Sequence, residues 1–180
     1  MGAPLVAILM GSDSDLPAVR EACTVLSSFG VPFEVRVLSA HRSPEDLVAY
    51  VKQSEQKGIQ VFVAAAGGAA HLAGVVAAHT IRPVLGIPIQ TSALNGLDSL
   101  LATVQMPGGV PVATMAIGAA GARNAGLFAV GVLALADQEL AEKLKRYRVQ
   151  VVDQLRQKDQ RVQQELSGGE RGALAPGSGS

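Results

Sequence analysis

The segment Leu38-Ser39-Ala40-His41-Arg42-Ser43-Pro44 sets a titratable imidazole beside a permanent cation. Imidazole gives or takes a proton near neutral pH. Guanidinium clamps a phosphate through paired hydrogen bonds. His41 is therefore the acid/base candidate and Arg42 the anion-binding candidate, with the Ser39 hydroxyl beside them. Taken alone, a histidine here would be a satisfied polar residue at a strand end, and Arg42 would serve a salt bridge. Two further segments carry similar equipment: Gly11-Ser12-Asp13-Ser14-Asp15 and Gly67-Gly68-Ala69-Ala70-His71. Each follows an apolar run, and open α/β sheets bind ligands at the carboxyl ends of their strands.

In the first of these, Ser12 and Ser14 offer hydroxyl donors and Asp15 a carboxylate that suits ribose hydroxyls. The helix N-terminus that follows favours an anion. Capping alone would explain one of these residues but not the cluster. The spacing fits neither GxxxxGK[ST] nor GxGxxG, so neither a nucleoside triphosphate nor a dinucleotide is indicated. Gly67, Gly68, Ala69 and Ala70 form a loop almost without side chains, which a ligand can approach closely. Tight strand-to-helix packing would also want small residues. His71 would bind substrate or anchor this loop, and His79 reads as structural or surface. Three histidines and one cysteine lack compact ligand spacing, so no metal is expected.

The elements that must position these residues are legible from periodicity. Hydrophobic residues make up 48% of the 180 positions and aromatics 3%, so Val, Leu, Ile and Ala must build the core, as in covered parallel sheets. Strands are predicted at Leu5 to Met10, Phe33 to Leu38, Val61 to Ala66, Val84 to Ile89 and Val112 to Ile117. Between them fall helices at Leu16 to Phe29 with Asp15 as cap, Pro44 to about Lys57 with Ser43 as cap, and Ala70 to His79. A short helix near Asn95 to Ala102 and another from about Asn124 to Leu135 follow. The alternation predicts a three-layer α/β/α sandwich with a parallel sheet in one domain, residues 1–166. Its last element, Asp137 to about Leu166, carries an apolar stripe of Leu140, Leu144, Tyr147, Val151 and Leu155. At 1.5 Å per residue it would extend about 45 Å, beyond the face of a small domain and onto a neighbouring subunit. Residues 167–180, rich in Gly, Ser, Ala and Pro, read as a disordered tail.

Fifteen basic residues balance fifteen acidic ones, which argues against a general nucleic-acid footprint but leaves room for a local phosphate site. The lone Cys23 rules out an internal disulfide framework and fits a reducing, cytoplasmic compartment. No apolar run reaches the roughly 18 residues of a membrane span, and no basic region precedes the first apolar run as in a signal peptide. Gln105 to Pro111, dense in Pro and Gly, would cover a site or simply turn the chain. The small residues of Gly118 to Gly126 suit close helix packing and a subunit contact.

Several segments taken in order, MGSDSD, VLSAHRSP, AAAGGAAHLAGVVAAHT, PVLGIPIQ, ALNGLDSLLATVQMPGGVPVAT and IGAAGARNAG, resemble class I PurE, the N5-carboxyaminoimidazole ribonucleotide mutases of purine biosynthesis. The similarity runs from about Val6 to Arg156, and the GGAAHL loop resembles the mutase class. Gly108 and Ala119 depart from the family pattern, where a basic residue and a lysine are common. The resemblance implies a flavodoxin-like fold, a homo-octamer and no metal or organic cofactor. It implies a ribonucleotide substrate contacted by Ser12, Asp15 and Arg42, a catalytic His41, and His71 in the glycine-rich loop. The reaction implied releases carbon dioxide from the N-carboxylate in a closed pocket and recaptures it at C4, with one histidine as acid and then base. Two alternatives are an aminoimidazole ribonucleotide carboxylase using free carbon dioxide and a non-catalytic nucleotide-binding module.

Overall fold

A computed structural model of the chain describes residues 2–172, with side chains to residue 167. Five strands, β1 (Val6–Met10), β2 (Phe33–Val37), β3 (Val61–Ala66), β4 (Val84–Pro88) and β5 (Ala113–Thr114), form one parallel sheet in the order β2-β1-β3-β4-β5. This is the flavodoxin-like order, whose switch point lies between β1 and β3.

Period-two alternation explains the two faces. Val6, Ile8 and Met10 of β1, with Val61, Val63 and Ala65 of β3, face one cluster completed by α1 (Leu16–Phe29) and α5 (Gly118–Leu133). Ala7, Leu9, Phe62 and Ala64 face the opposite cluster, covered by α2 (Pro44–Gln56) and α3 (Leu72–Ala78). Both faces are apolar, so the central strands read as continuous hydrophobic runs. Gly126 lets α5 lie against α1: a Cβ there would come within 2.9 Å of Val25 Cβ. α4 (Leu97–Val104) covers the β4 end of the sheet, and α6 (Gln138–Gly172) closes the chain.

Several boundaries and two caps differ from the sequence expectation. α5 starts at Gly118, six residues before the predicted Asn124, because its first turns pack directly on residue 116: a Cβ at Gly121 would overlap the Ala116 carbonyl. β5 is two residues long, not six. Asp15 holds the N-cap position of α1 but makes no side-chain cap there. It ends a short 3-10 turn, Asp13–Asp15, that Ser12 caps, and its carboxylate reaches back to the Ser12 N–H. Ser43 makes no side-chain cap on α2, since its hydroxyl is engaged with the backbone of Ser39.

α6 continues to Gly172, past the predicted end at Leu166, and the rest of the expected tail, 173–180, lies outside the described residues. Leu140 is buried in the core and Leu144 and Tyr147 pack against it, with the Tyr147 ring edge-on to Phe29 at 5.6 Å. Beyond Tyr147 the stripe continues on the same face at helical spacing through Val151, Leu155, Val162 and Leu166, all exposed.

Candidate functional site

Four loops at the carboxyl ends of β1 to β4 enclose a cavity of about 430 Å³. Parallel strands deliver their ends to one edge, and the β1/β3 switch point opens a crevice there. The loop after β1 leads to α1 on one face of the sheet. The loops after β2 and β3 lead to α2 and α3 on the other.

The loop after β1 is wound by its own side chains. The Ser12 hydroxyl accepts the Ser14 N–H at 3.3 Å and the Ser14 hydroxyl at 2.9 Å, while the Asp15 carboxylate accepts the Ser12 N–H at 3.2 Å. This reciprocal arrangement is a capping box on a single turn. Asp15 is buried, 7% exposed, and burial pushes its carboxyl above its ordinary value. Hydrogen bonds from Ser12 and Ser14 oppose that shift, and the nearby Arg42 charge opposes it weakly.

The loop after β2 is organised around Ser39. Its hydroxyl accepts the backbone N–H groups of His41 at 3.3 Å and Arg42 at 3.1 Å. Arg42 Nη2 donates to the Gly11 carbonyl at 2.7 Å and so ties this loop to the one after β1. Among the described residues Arg42 forms no salt bridge; its guanidinium donates to the Gly11 carbonyl and, from Nε at 3.5 Å, to the Ser39 hydroxyl, and other N–H groups remain for an anion.

In the loop after β3, Gly68 and Ala70 both take positive φ, 65° and 44°. Glycine adopts that region freely, whereas for alanine it is strained. The Ala70 N–H to Gly67 carbonyl bond, 3.2 Å, closes the turn. The turn delivers His71 to His41, with Nδ1 of the former 2.7 Å from Nε2 of the latter and the rings edge-to-face. Both rings are exposed at the mouth of the cavity.

Of the residues expected from sequence, Ser12, Ser14, Asp15, Ser39, His41, Arg42, Gly67, Ala70 and His71 line the cavity. Gly68 and Ala69 do not. The Gly68 N–H turns away to the Ser99 hydroxyl, and Ala69 sits exposed on the crest of the turn. A fourth loop, Ile89, Gln90 and Thr91, lines the cavity and was not foreseen. The sequence signals for it were its place after β4 and the resemblance segment PVLGIPIQ, which ends at Gln90. The Thr91 hydroxyl donates to Asp98, and its methyl lies 3.5 Å from where a Cβ on Gly67 would stand. Among the described residues no three His, Cys, Asp or Glu side chains gather as a metal site would need, and no helix is long and apolar enough to cross a membrane.

Comparison with known proteins meets this geometry from outside. The family model described as AIR carboxylase matches residues 5–154, which span all five strands and all four loops. An N5-carboxyaminoimidazole ribonucleotide mutase of Pyrococcus horikoshii is 51% identical over 161 residues, 89% of this chain and 90% of the relative. One of Bacillus subtilis is 54% identical over 145 residues, 81% of this chain and 90% of the relative. Among solved structures, Treponema denticola PurE superposes with a TM-score of 0.80 at 27% identity, covering 88% of this chain and 98% of that one. With its fold, its histidine-bearing strand ends and most of its length matched, the chain belongs to the AIR carboxylase family.

Proposed function

We propose that the protein interconverts N5-carboxyaminoimidazole ribonucleotide and 4-carboxy-5-aminoimidazole ribonucleotide, an isomerisation in purine biosynthesis. The observation that carries this reading is the His41–His71 pair at the mouth of a cavity flanked by the Arg42 guanidinium, in a chain about half identical to named mutases.

The chemistry asks for one group that gives a proton and then takes it back. As the N–carboxylate bond breaks, its electron pair returns to nitrogen, and His41 supplies the proton that nitrogen takes. Carbon dioxide and aminoimidazole ribonucleotide are left in the cavity. The electron pair at C4 then attacks the carbon of carbon dioxide. The C4–H bond finally returns its pair to the ring, His41 takes that proton, and the histidine is restored to its starting state. Retention of carbon dioxide beside C4 makes recapture effectively intramolecular. Arg42 is the phosphate ligand, a charge-assisted donor beside the Ser12 and Ser14 hydroxyls, and Asp15 accepts from ribose. Gly67 and Ala70 let the base lie close to the backbone, and His71 holds the His41 ring.

Carbon-13 carried on the N-carboxylate tests this directly. In unlabelled bicarbonate the label should appear mainly in the C-carboxylate product. Complete dilution of the label would favour the carboxylase reading, the activity that the family model's description names. Near-complete retention is expected, because relatives of about 50% identity are named mutases.

The working form is a homo-octamer in the cytoplasm. Support for assembly comes from the apolar cavity of about 780 Å³ between α5 and α6, lined by Leu127, Phe128, Leu135, Leu144 and Val151, and from the exposed stripe that continues it along α6. Contiguous apolar surface of that extent marks a protein contact, and a second copy of the chain is the occupant. The lone, unpaired Cys23 fits a reducing compartment and supports that location.

A further inference from the structure

We infer that Ser99, which touches neither the cavity nor the histidines, is a positioning residue whose hydroxyl clamps two walls of the site together. Ser99 lies in α4 and is fully buried. Its Oγ donates to the Ile89 carbonyl at 2.7 Å and accepts the Gly68 N–H at 2.9 Å. Ile89 leads into Gln90 and Thr91, which line the cavity, and Gly68 stands three residues before His71. One hydroxyl therefore joins the loop after β3 to the loop after β4. Its single hydrogen and one lone pair are both used.

The placement of Ser99 follows from a missing side chain in β4. A Cβ at Gly86 would come within 2.5 Å of Thr103 Cγ2 and 3.0 Å of Val112 Cγ1. The absence of that Cβ lets Thr103, and α4 with it, settle onto the strand. Thr103 donates from its hydroxyl back to the Ser99 carbonyl one turn earlier, at 2.7 Å. Ser99 is thereby set at hydrogen-bonding distance from both loops. The turn it holds needs holding: Ala70 has positive φ, and strained backbone of that kind persists only where surrounding contacts over-determine it. The internal Ala70–Gly67 bond supplies one such contact and Ser99 another. Without Ser99 the Gly68 N–H loses its acceptor, the turn relaxes, and His71 no longer meets His41 at 2.7 Å.

This inference rests on the catalytic role given above to His41 and its contact with His71, and the experiment separates the two. Ser99→Ala and Ser99→Thr are made in the full-length protein, each alone and in a His71→Ala background. Thermal midpoint and oligomeric state are recorded for every variant. Ser99→Ala should lower kcat at least tenfold while KM changes by less than threefold. Hydrogen exchange of the 67–71 amides should quicken, and Ser99→Thr, which keeps the hydroxyl, should recover most of the loss. In the His71→Ala background Ser99→Ala should cost no more than about twofold further, since residues acting as a unit are non-additive. Unchanged exchange at 67–71 in Ser99→Ala would overturn the clamp. So would a full further tenfold loss in a His71→Ala background whose own kcat is already lowered. Should His71→Ala alone leave kcat intact while Ser99→Ala still quickens loop exchange and lowers kcat, the role of His71 falls and the clamp stands.

Discussion

His41 Nε2 and His71 Nδ1 lie 2.7 Å apart across 30 residues of sequence. They meet because β2 and β3 flank β1 on either side, and both following loops turn toward the same face of the sheet. Two ring nitrogens at that distance share one hydrogen, so one donates and the other accepts. While the contact lasts, the two facing nitrogens cannot both be protonated, and the pair carries at most one positive charge.

Replacing His41 by Asn should abolish turnover in both directions while leaving fold and ribonucleotide binding largely intact. General acid–base groups contribute about 10²–10⁴ in rate, so the loss should reach at least that lower bound. Steady-state rates with calorimetric binding decide it; near wild-type turnover would remove His41 from the central role.

His71→Ala should act more mildly and mainly on kcat. Loss of a hydrogen bond to a charged partner is worth roughly 1.5–3 kcal/mol, or at least about tenfold. A change confined to KM would instead make His71 a substrate ligand.

Arg42→Ala should weaken ribonucleotide binding at least about tenfold by the same magnitude, and should weaken the dephosphorylated nucleoside far less. Because Nη2 also donates to the Gly11 carbonyl, some loosening of the loop after β1 will accompany it. Arg42→Lys keeps the charge and loses the fork. Equal weakening of nucleotide and nucleoside would show that the guanidinium is not the phosphate clamp.

Asp15 links the site to stability. Its carboxyl is raised in the folded state, chiefly by burial, so folding favours the protonated form. That contribution is fully present below the unfolded carboxyl value and is lost as pH rises through the folded one. At neutral pH the ionised Asp15 therefore costs stability. Asp15→Asn should raise the thermal midpoint of the empty protein at pH 7 and lose that advantage under acid conditions, while weakening substrate binding. Melting curves across the acid range give the sign; a midpoint lowered at pH 7 would contradict the assignment.

Removing residues 151–180 should leave a folded chain that no longer assembles. Leu140, Leu144 and Tyr147, which pack on the core, are retained, whereas Val151, Leu155, Val162 and Leu166 are lost. Cutting at 137 would also uncover the core and confuse the two effects. Sedimentation with circular dichroism checks this, and a truncated octamer would free the stripe of its assembly role.

The sequence made the central strands legible because both faces of each are apolar, and Gly11, Gly30, Gly58 and Gly67 punctuate them at the right places. The histidine-bearing loops stood out because polar residues there interrupt long apolar runs. The start of α5 was hidden because Gly118 to Ala122 lack the side chains that mark helical periodicity; their smallness serves close packing instead. Asp15 looked like an ordinary helix cap because capping sequence patterns do not say which turn is capped. Gln90, Thr91 and Ser99 were missed for another reason. Nothing local distinguishes a serine that bridges two distant loops from one facing solvent, and only the approach of α4 to β4 sets it apart.

That approach has a consequence for how such a chain can diverge. Positions 86 and 103 share one volume, so drift at either is conditional on the other. A lineage that gained alanine at 86 while keeping threonine at 103 would displace α4 and disturb cavity-lining loops that neither residue touches. The two positions should therefore change as a pair among descendants, and a strand glycine outside the cavity becomes a gatekeeper of the cavity's architecture.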